Sequence, residues 1–285
     1  MDNVVYGSEL ALKLKQEIKD EIDGCLALGY RAPQLAVVLV GNDPASLSYV
    51  KGKEKACQQV GVVSTTYVLE ENTTFDQVKA LIETLNNDET VDGILLQLPL
   101  PNGLDSEALI NTIAPDKDVD GLTPLNMGYF FSNRGGFAPC TPLGVMALLR
   151  EGNVQLEGRH AVVIGRSQLV GKPLAQMLLN SNCTVTVCHS KTHQLHEIAK
   201  LADILIVAVG KANFITEEYV KENAVVIDVG VNRVDGKLVG DVDFASVQPK
   251  ASLITPVPKG VGPMTITMLL DNTYKAYCHH VKVEK

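Results

Sequence analysis

The chain lacks an excess of positive charge. Its 25 Lys and Arg are outnumbered by 33 Asp and Glu, for a formal net charge of −8. That balance argues against a general nucleic-acid binder. It leaves room for an anionic small molecule, because local donors decide that. The chain also lacks any C-x-x-C pair. Its six cysteines, Cys25, Cys57, Cys140, Cys183, Cys188 and Cys278, are scattered. The scatter weakens zinc and thioredoxin-like readings and suits free thiols in a reducing compartment. No apolar run approaches the length needed to span a bilayer. The opening Met1-Asp2-Asn3-Val4-Val5-Tyr6-Gly7 lacks the basic-then-apolar pattern of a signal peptide. These absences create the expectation of a cytoplasmic protein that uses neither nucleic acid nor membrane.

What is present is an ordinary globular mix, 46% hydrophobic and 20% charged over 285 residues, enough for two domains. Apolar spacing at Leu10, Leu14, Ile18 and Ile22 predicts a first helix from Ser8 to about Leu28. Short β-branched runs predict strands at 34–40, 62–69 and 93–96, with helices between them around Tyr49 and after Thr74. From Gln97 to Pro142 regularity falls and Pro and Gly rise, as in a functional loop or a domain connection. Alternation then resumes, with strands at 160–164, 184–188, 204–209, 225–229 and 251–254. Helices are expected at 169–179, 193–200 and 264–277. Strands alternating with helices imply right-handed crossovers and parallel sheets, hence an α/β fold.

Two local patterns carry chemistry. Tyr49 and Lys53 are four residues apart in a helical segment, so a phenol and an amine share one helix face. Proton transfer suits that pair; packing plus a solvated amine is the plainer reading. Ala161-Val162-Val163-Ile164-Gly165-Arg166-Ser167-Gln168-Leu169-Val170-Gly171 is a strand, a glycine turn and a helix start. It departs from G-x-G-x-x-G but keeps its logic: Gly165 permits the tight turn, and free N–H groups at the helix start attract a pyrophosphate. The next strand ends Val187-Cys188-His189-Ser190-Lys191, without the acid that an NAD-selective site places on the ribose hydroxyl. Arg166, Ser190 and Lys191 could instead hold a 2′-phosphate, which favours NADP; Ser190 could equally be a turn residue. His189, His193 and His196 have no acidic or cysteine ligand at matching spacing, so no metal is expected.

Several longer segments occur together: Tyr49-Val50-Lys51-Gly52-Lys53, Gln97-Leu98-Pro99-Leu100-Pro101, Lys117-Asp118-Val119-Asp120-Gly121, Pro139-Cys140-Thr141-Pro142, the Gly165–Pro173 stretch, Cys188-His189-Ser190, and Pro256-Val257-Pro258-Lys259-Gly260-Val261-Gly262-Pro263-Met264-Thr265. In this order, over nearly the whole chain, they resemble the bifunctional methylenetetrahydrofolate dehydrogenase/methenyltetrahydrofolate cyclohydrolase family. Lys259 departs from it, standing where many members are expected to carry glycine.

The resemblance implies an N-terminal folate-binding catalytic domain over 1–140, rejoined by 262–285, and a doubly wound Rossmann-type NADP-binding domain over 141–261. It implies Lys53 as the acid/base residue, Tyr49 positioning the folate, Gln97 tuning Lys53, and Asp120 holding the pterin. Leu98, Gly262 and Pro263 would complete the substrate site. Gly165, Arg166, Ser167, Gly171, Ser190, Gly230, Val231 and Thr265 would contact NADP. It also implies tetrahydrofolate derivatives as substrates and a homodimer. Taken as residues alone, Asp118 and Asp120 read as turn positions, and Gln97 could equally be a satisfied strand-end polar group. Gly260, Gly262 and Pro263 could serve only to shape a loop. A hydroxy- or keto-acid dehydrogenase would need an arginine in a carboxylate-binding motif, and Arg31, Arg134 and Arg150 sit in none.

Overall fold

The computed structural model describes residues 3–283. In chain order the elements are α1 (Gly7–Ala27), β1 (Gln34–Val40), α2 (Pro44–Val60), β2 (Val63–Leu69), α3 (Phe75–Asn87), β3 (Gly93–Leu96), α4 (Ser106–Ile110), α5 (Pro124–Phe131) and α6 (Cys140–Glu151). There follow β4 (His160–Ile164), α7 (Gly171–Asn180), β5 (Thr184–Cys188), α8 (Leu195–Ala199), β6 (Ile204–Val207), β7 (Val225–Asp228), β8 (Asn232–Val234), β9 (Lys237–Val239), α9 (Phe244–Val247), β10 (Leu253–Ile254) and α10 (Val261–Val281). The chain forms two compact units. One holds Lys13–Ala138 and the chain from Ile266 onward; the other holds the residues up to Leu12 and Pro139–Thr265. The helices α1 and α10 are therefore each shared by both units.

In the first unit β1 lies between β2 and β3 in a parallel three-stranded sheet, with Leu35 in register with Ser64 on one side and Gly93 on the other. Six of the seven residues of β1 are buried, as an apolar run covered on both faces demands. Val78, Ile82 and Leu85 of α3 pack with Ala36, Val38, Ile94 and Leu96 in one core. Sequence signals set the helix ends. The Asp43 side chain accepts from the Ser46 N–H at 2.8 Å, Pro44 opens α2, and Gly61 closes it in the left-handed region at φ 85°. Thr74 and Gln77 form a reciprocal capping box at the start of α3.

In the second unit five parallel strands run in the order β10-β7-β6-β4-β5. Counted from β4, this is the doubly wound order 2-1-3-4-5, whose direction of winding reverses between β4 and β6. Val162, Ile164, Leu205, Val207, Val226 and Ile254 build its core. Beside β10, Val4 forms a bridge to Ile254.

Several elements differ from the sequence expectation. The helix expected from Leu169 begins at Gly171, because the Ser167 hydroxyl takes the N–H groups of Val170 and Gly171 and holds the preceding residues as a turn. The stretch expected to stay loop-like to Pro142 already contains α4 and α5, and α6 starts inside it at Cys140. Proline in a first turn costs no internal hydrogen bond. The final helix begins at Val261 rather than Met264 and so carries Gly262 and Pro263 in its first turn. The β8–β9 hairpin was not anticipated.

Candidate functional site

Each unit carries one constellation, built where its sheet reverses direction. In the first unit Gln97 follows β3 directly, and its backbone N–H donates to the Val38 carbonyl at 2.9 Å. The side chain is 8% exposed. Its Oε1 accepts from Lys53 Nζ at 2.9 Å, and its Nε2 donates to the Leu98 carbonyl at 2.7 Å. The amide is therefore oriented, oxygen toward the amine. Lys53 is half-buried on α2, and Tyr49, one turn earlier, is exposed. The helix delivers both, and the carboxyl end of β3 delivers the partner. The Leu98–Pro99 peptide that follows is cis.

Asp120 lies on a turn tied to the same sheet, since the Ile94 N–H donates to the Lys117 carbonyl at 2.8 Å. Gly121 closes the turn at φ 68°, donating to the Asp118 carbonyl at 3.0 Å. A β-carbon at Gly121 would fall 2.5 Å from the Ala138 carbonyl carbon, so only glycine fits. Asp118 has a structural task that the turn reading only sketched. Its carboxylate is 1% exposed and accepts from the Leu122 and Thr123 N–H groups and from Asn126 Nδ2 at 3.1, 2.8 and 2.8 Å. Burial raises its pKa, opposed by those hydrogen bonds. Asp120 is half-buried.

In the second unit the turn after β4 is built from two close approaches. Gly165 takes φ 132°, and a β-carbon there would meet the Ala208 carbonyl oxygen at 2.3 Å. A β-carbon at Gly171 would meet the Gly165 carbonyl oxygen at 2.2 Å. Beyond the carboxyl ends of β4, β5 and β6 lies a cleft of about 240 Å³. Arg166, His189, Ser190, Lys211 and Phe214 are among its lining residues. The structure thus brings Gly165, Arg166 and Ser190 together at one cleft. Ser167 and Gly171 shape the turn behind it. Gly230, Val231 and Thr265 are not among the lining residues of that cleft. Thr265 instead exchanges a hydrogen bond with Thr141, hydroxyl to hydroxyl, at 3.0 Å. Lys211 was missed by the sequence reading, although it follows the end of β6 at the position where such a fold presents its ligand contacts.

Two buried acids beside this cleft were also missed. Asp228 ends β7, and Asp241 follows the β8–β9 hairpin; they are 3% and 0% exposed. Burial pushes the Asp228 carboxyl up to about 7, outweighing its backbone hydrogen bonds. Lys259 holds a left-handed backbone at φ 81°, which explains why glycine would be favoured at that position. No group of three or more His, Cys, Asp or Glu side chains that could hold a metal ion occurs among the described residues. No helix among them is long and apolar enough to cross a membrane.

A doubly wound sheet with a glycine turn and a basic cleft at its reversal point defines a dinucleotide-binding α/β protein. The oriented Lys53–Gln97 pair adds a second polar site on a separate unit. Comparison with known proteins narrows the class: the chain belongs to the tetrahydrofolate dehydrogenase/cyclohydrolase family. The profile of the family's catalytic domain matches residues 5–120, and that of its NAD(P)-binding domain matches residues 139–281. The chain is 54% identical over 277 residues to the bifunctional protein FolD of Oceanobacillus iheyensis, covering 97% of each. The crystal structure of the bifunctional FolD dehydrogenase/cyclohydrolase of Campylobacter jejuni is similar, with TM-score 0.94 and 50% identity over 96% of this chain and 97% of that one. The Trypanosoma brucei enzyme, solved with NADP cofactor and inhibitor, superposes with TM-score 0.93 at 36% identity, covering 98% of each chain.

Proposed function

We propose that this protein oxidises 5,10-methylenetetrahydrofolate with NADP⁺ to the 5,10-methenyl cation and hydrolyses that cation to 10-formyltetrahydrofolate. The observation that carries this reading is the 2.9 Å contact between Lys53 Nζ and the Gln97 oxygen, in a chain of this family. In the first reaction a hydride leaves the one-carbon bridge for the nicotinamide ring. In the second, water adds to the bridge carbon and loses a proton. The bond from that carbon to one ring nitrogen then breaks as the nitrogen gains a proton and the new hydroxyl loses its own, leaving a formyl carbonyl and releasing one proton overall. Lys53 serves as the proton carrier. The neutral amine is the form a general base requires. Gln97 aims that amine. Tyr49, exposed one turn away, positions the folate, Asp120 accepts hydrogen bonds from the pterin, and Leu98, Gly262 and Pro263 complete the substrate site.

Gly165, Arg166, Ser167, Gly171 and Ser190, with Gly230, Val231 and Thr265, form the NADP site. Arg166 and Ser190 share the cleft with no acid among its lining residues, which supports NADP over NAD. The protein works in the cytoplasm in one-carbon metabolism that feeds purine biosynthesis, as a homodimer. A spectrophotometric assay with methylenetetrahydrofolate and either NADP⁺ or NAD⁺, followed by one with the methenyl substrate and no nucleotide, tests the reading. Turnover in both assays, faster with NADP⁺ in the first, is expected. Oxidation without hydrolysis of the methenyl compound would reduce the protein to a dehydrogenase alone.

A further inference from the structure

Asp241 is fully buried and receives four donors. Its Oδ2 accepts from the Val209 N–H at 2.6 Å and the Gly210 N–H at 2.9 Å. Its Oδ1 accepts from the Lys211 N–H at 2.8 Å and from Asn232 Nδ2 at 2.9 Å. Successive backbone N–H groups converging on one point make an anion-binding concavity. Here the chain fills it with its own carboxylate. The loop so gripped is a wall of the cofactor cleft. Val209 and Lys211 line the cleft, and Ala208 packs against the missing side chain of Gly165.

Glycine makes the seat for the carboxylate. A β-carbon on Gly230 would fall 2.1 Å from the Asp241 carboxyl carbon. The arrangement is reciprocal, since a β-carbon on Gly240 would fall 1.8 Å from Asp228 Oδ2. Asp228 in turn accepts from the N–H groups of Gly230, Asp241 and Val242 at 3.0, 3.0 and 2.9 Å. The backbone that projects Asp241 is therefore fixed at its base.

We infer that Asp241, seated against Gly230, is the positioning residue that sets the 209–211 loop, and Lys211 with it, as a wall of the NADP cleft. Tight nucleotide binding then depends on a carboxylate that lies behind the wall. The inference rests on the NADP reading above. An amide at 241 cannot match the donors. Its oxygen can serve one side, while its NH₂ faces either the Lys211 N–H or the Val209 and Gly210 N–H groups. Asn232 can turn its own carbonyl to compensate; a backbone N–H cannot.

The test titrates NADP⁺ alone into the full-length wild type, Asp241→Asn and Asn232→Ala by calorimetry, then measures both reactions. Wild type should bind NADP⁺. Asp241→Asn should weaken that binding about ten-fold, which corresponds to about 1.4 kcal/mol. Its KM for NADP⁺ should rise while kcat at saturating nucleotide and the nucleotide-free cyclohydrolase rate stay within about two-fold. Asn232→Ala takes away one donor to the carboxylate and should weaken NADP⁺ binding too, by a smaller factor. If Asp241→Asn does not fold, Asn232→Ala decides, because it removes one of the four donors and lies outside the cleft lining. Wild-type affinity in the variants, or parallel loss of both reactions without a KM shift, would overturn the inference. A wild-type protein that turns over with NAD⁺ but does not bind NADP⁺ would overturn the cofactor reading instead, and the inference with it.

Discussion

Hydride can leave a methylene bridge without proton transfer, because the ring nitrogen lone pair stabilises the cation as it forms. Adding water to that cation and opening the ring requires two protons to leave the water oxygen and one to reach the ring nitrogen. On the proposed reading Lys53, held at 2.9 Å by Gln97, divides the two reactions. Lys53→Met keeps bulk but carries no proton, so cyclohydrolase activity should fall by about 10²–10⁴-fold, the usual worth of general acid–base help. Dehydrogenase activity should fall less. Both rates measured on one purified variant decide the matter, and a near-normal cyclohydrolase would return Lys53 to a solvated helix face. Arg166 is the corresponding test for the nucleotide. It is exposed in the cleft. Arg166→Ala would remove the proposed charge-assisted contact to the 2′-phosphate, worth about 1.5–3 kcal/mol. NADP⁺ should lose affinity while NAD⁺ loses little, and equal losses would show that Arg166 does not read the 2′-phosphate.

At the scale of elements, the segment from Lys117 to α5 hangs on one buried carboxylate. Asp118 closes the turn with the Leu122 and Thr123 N–H groups and steadies Asn126, which also donates to the Pro115 carbonyl at 2.8 Å. Asp118→Ala would leave several donors without a partner, two of them on the backbone, and should destabilise the fold by about 3 kcal/mol or more. Urea denaturation measures this; a loss below about 1 kcal/mol would mean that water replaces the carboxylate. Which elements were legible follows from burial. The strands β1, β4 and β6 are parallel and covered on both faces, so they read as continuous apolar runs. Strands β8 and β9 are short and largely exposed, with no buried face to write a pattern. Only their Asp235-Gly236 turn could have shown them. The Lys53–Gln97 contact joins residues 44 apart; spacing along a chain carries no information about such a pair, and family resemblance supplied it. Asp228 and Asp241 went unread because an acid at a strand end looks like a solvated turn until its donors are seen.

For the molecule as a whole, Asp228 ties stability to pH. In the fold its carboxyl is pushed up to about 7 by burial. In the unfolded chain an aspartate titrates near about 3.9. Between those values the folded state keeps a proton that the unfolded state has released. The stabilisation is therefore complete below the unfolded value and is lost as pH rises through about 7. The buried Asp118 shifts in the same direction. Asp203 shifts the other way through its bond to Lys221, so its contribution is lost only as acid is added below the ordinary carboxylate range. Relative to Asp228→Asn, the wild type should lose on the order of 3 kcal/mol between pH 4 and pH 8. Melting curves of both proteins across that range measure the difference, and parallel profiles would place the titrating proton elsewhere.

The bridge from Val4 to Ile254 also has a meaning in time. Asn3 donates its side-chain amide to the carbonyls of Gln248 and Ala251, and the Val5 N–H donates to the Ile254 carbonyl at 2.9 Å. Residues 3–5 thus dock on residues made some 248 positions later. At about 5–20 residues per second, they wait roughly ten to fifty seconds for their partner strand. Chains stalled before β10 emerges should leave residues 3–5 open to protease, while the finished protein shields them. Early protection in stalled chains would mean that this segment finds another resting place during synthesis.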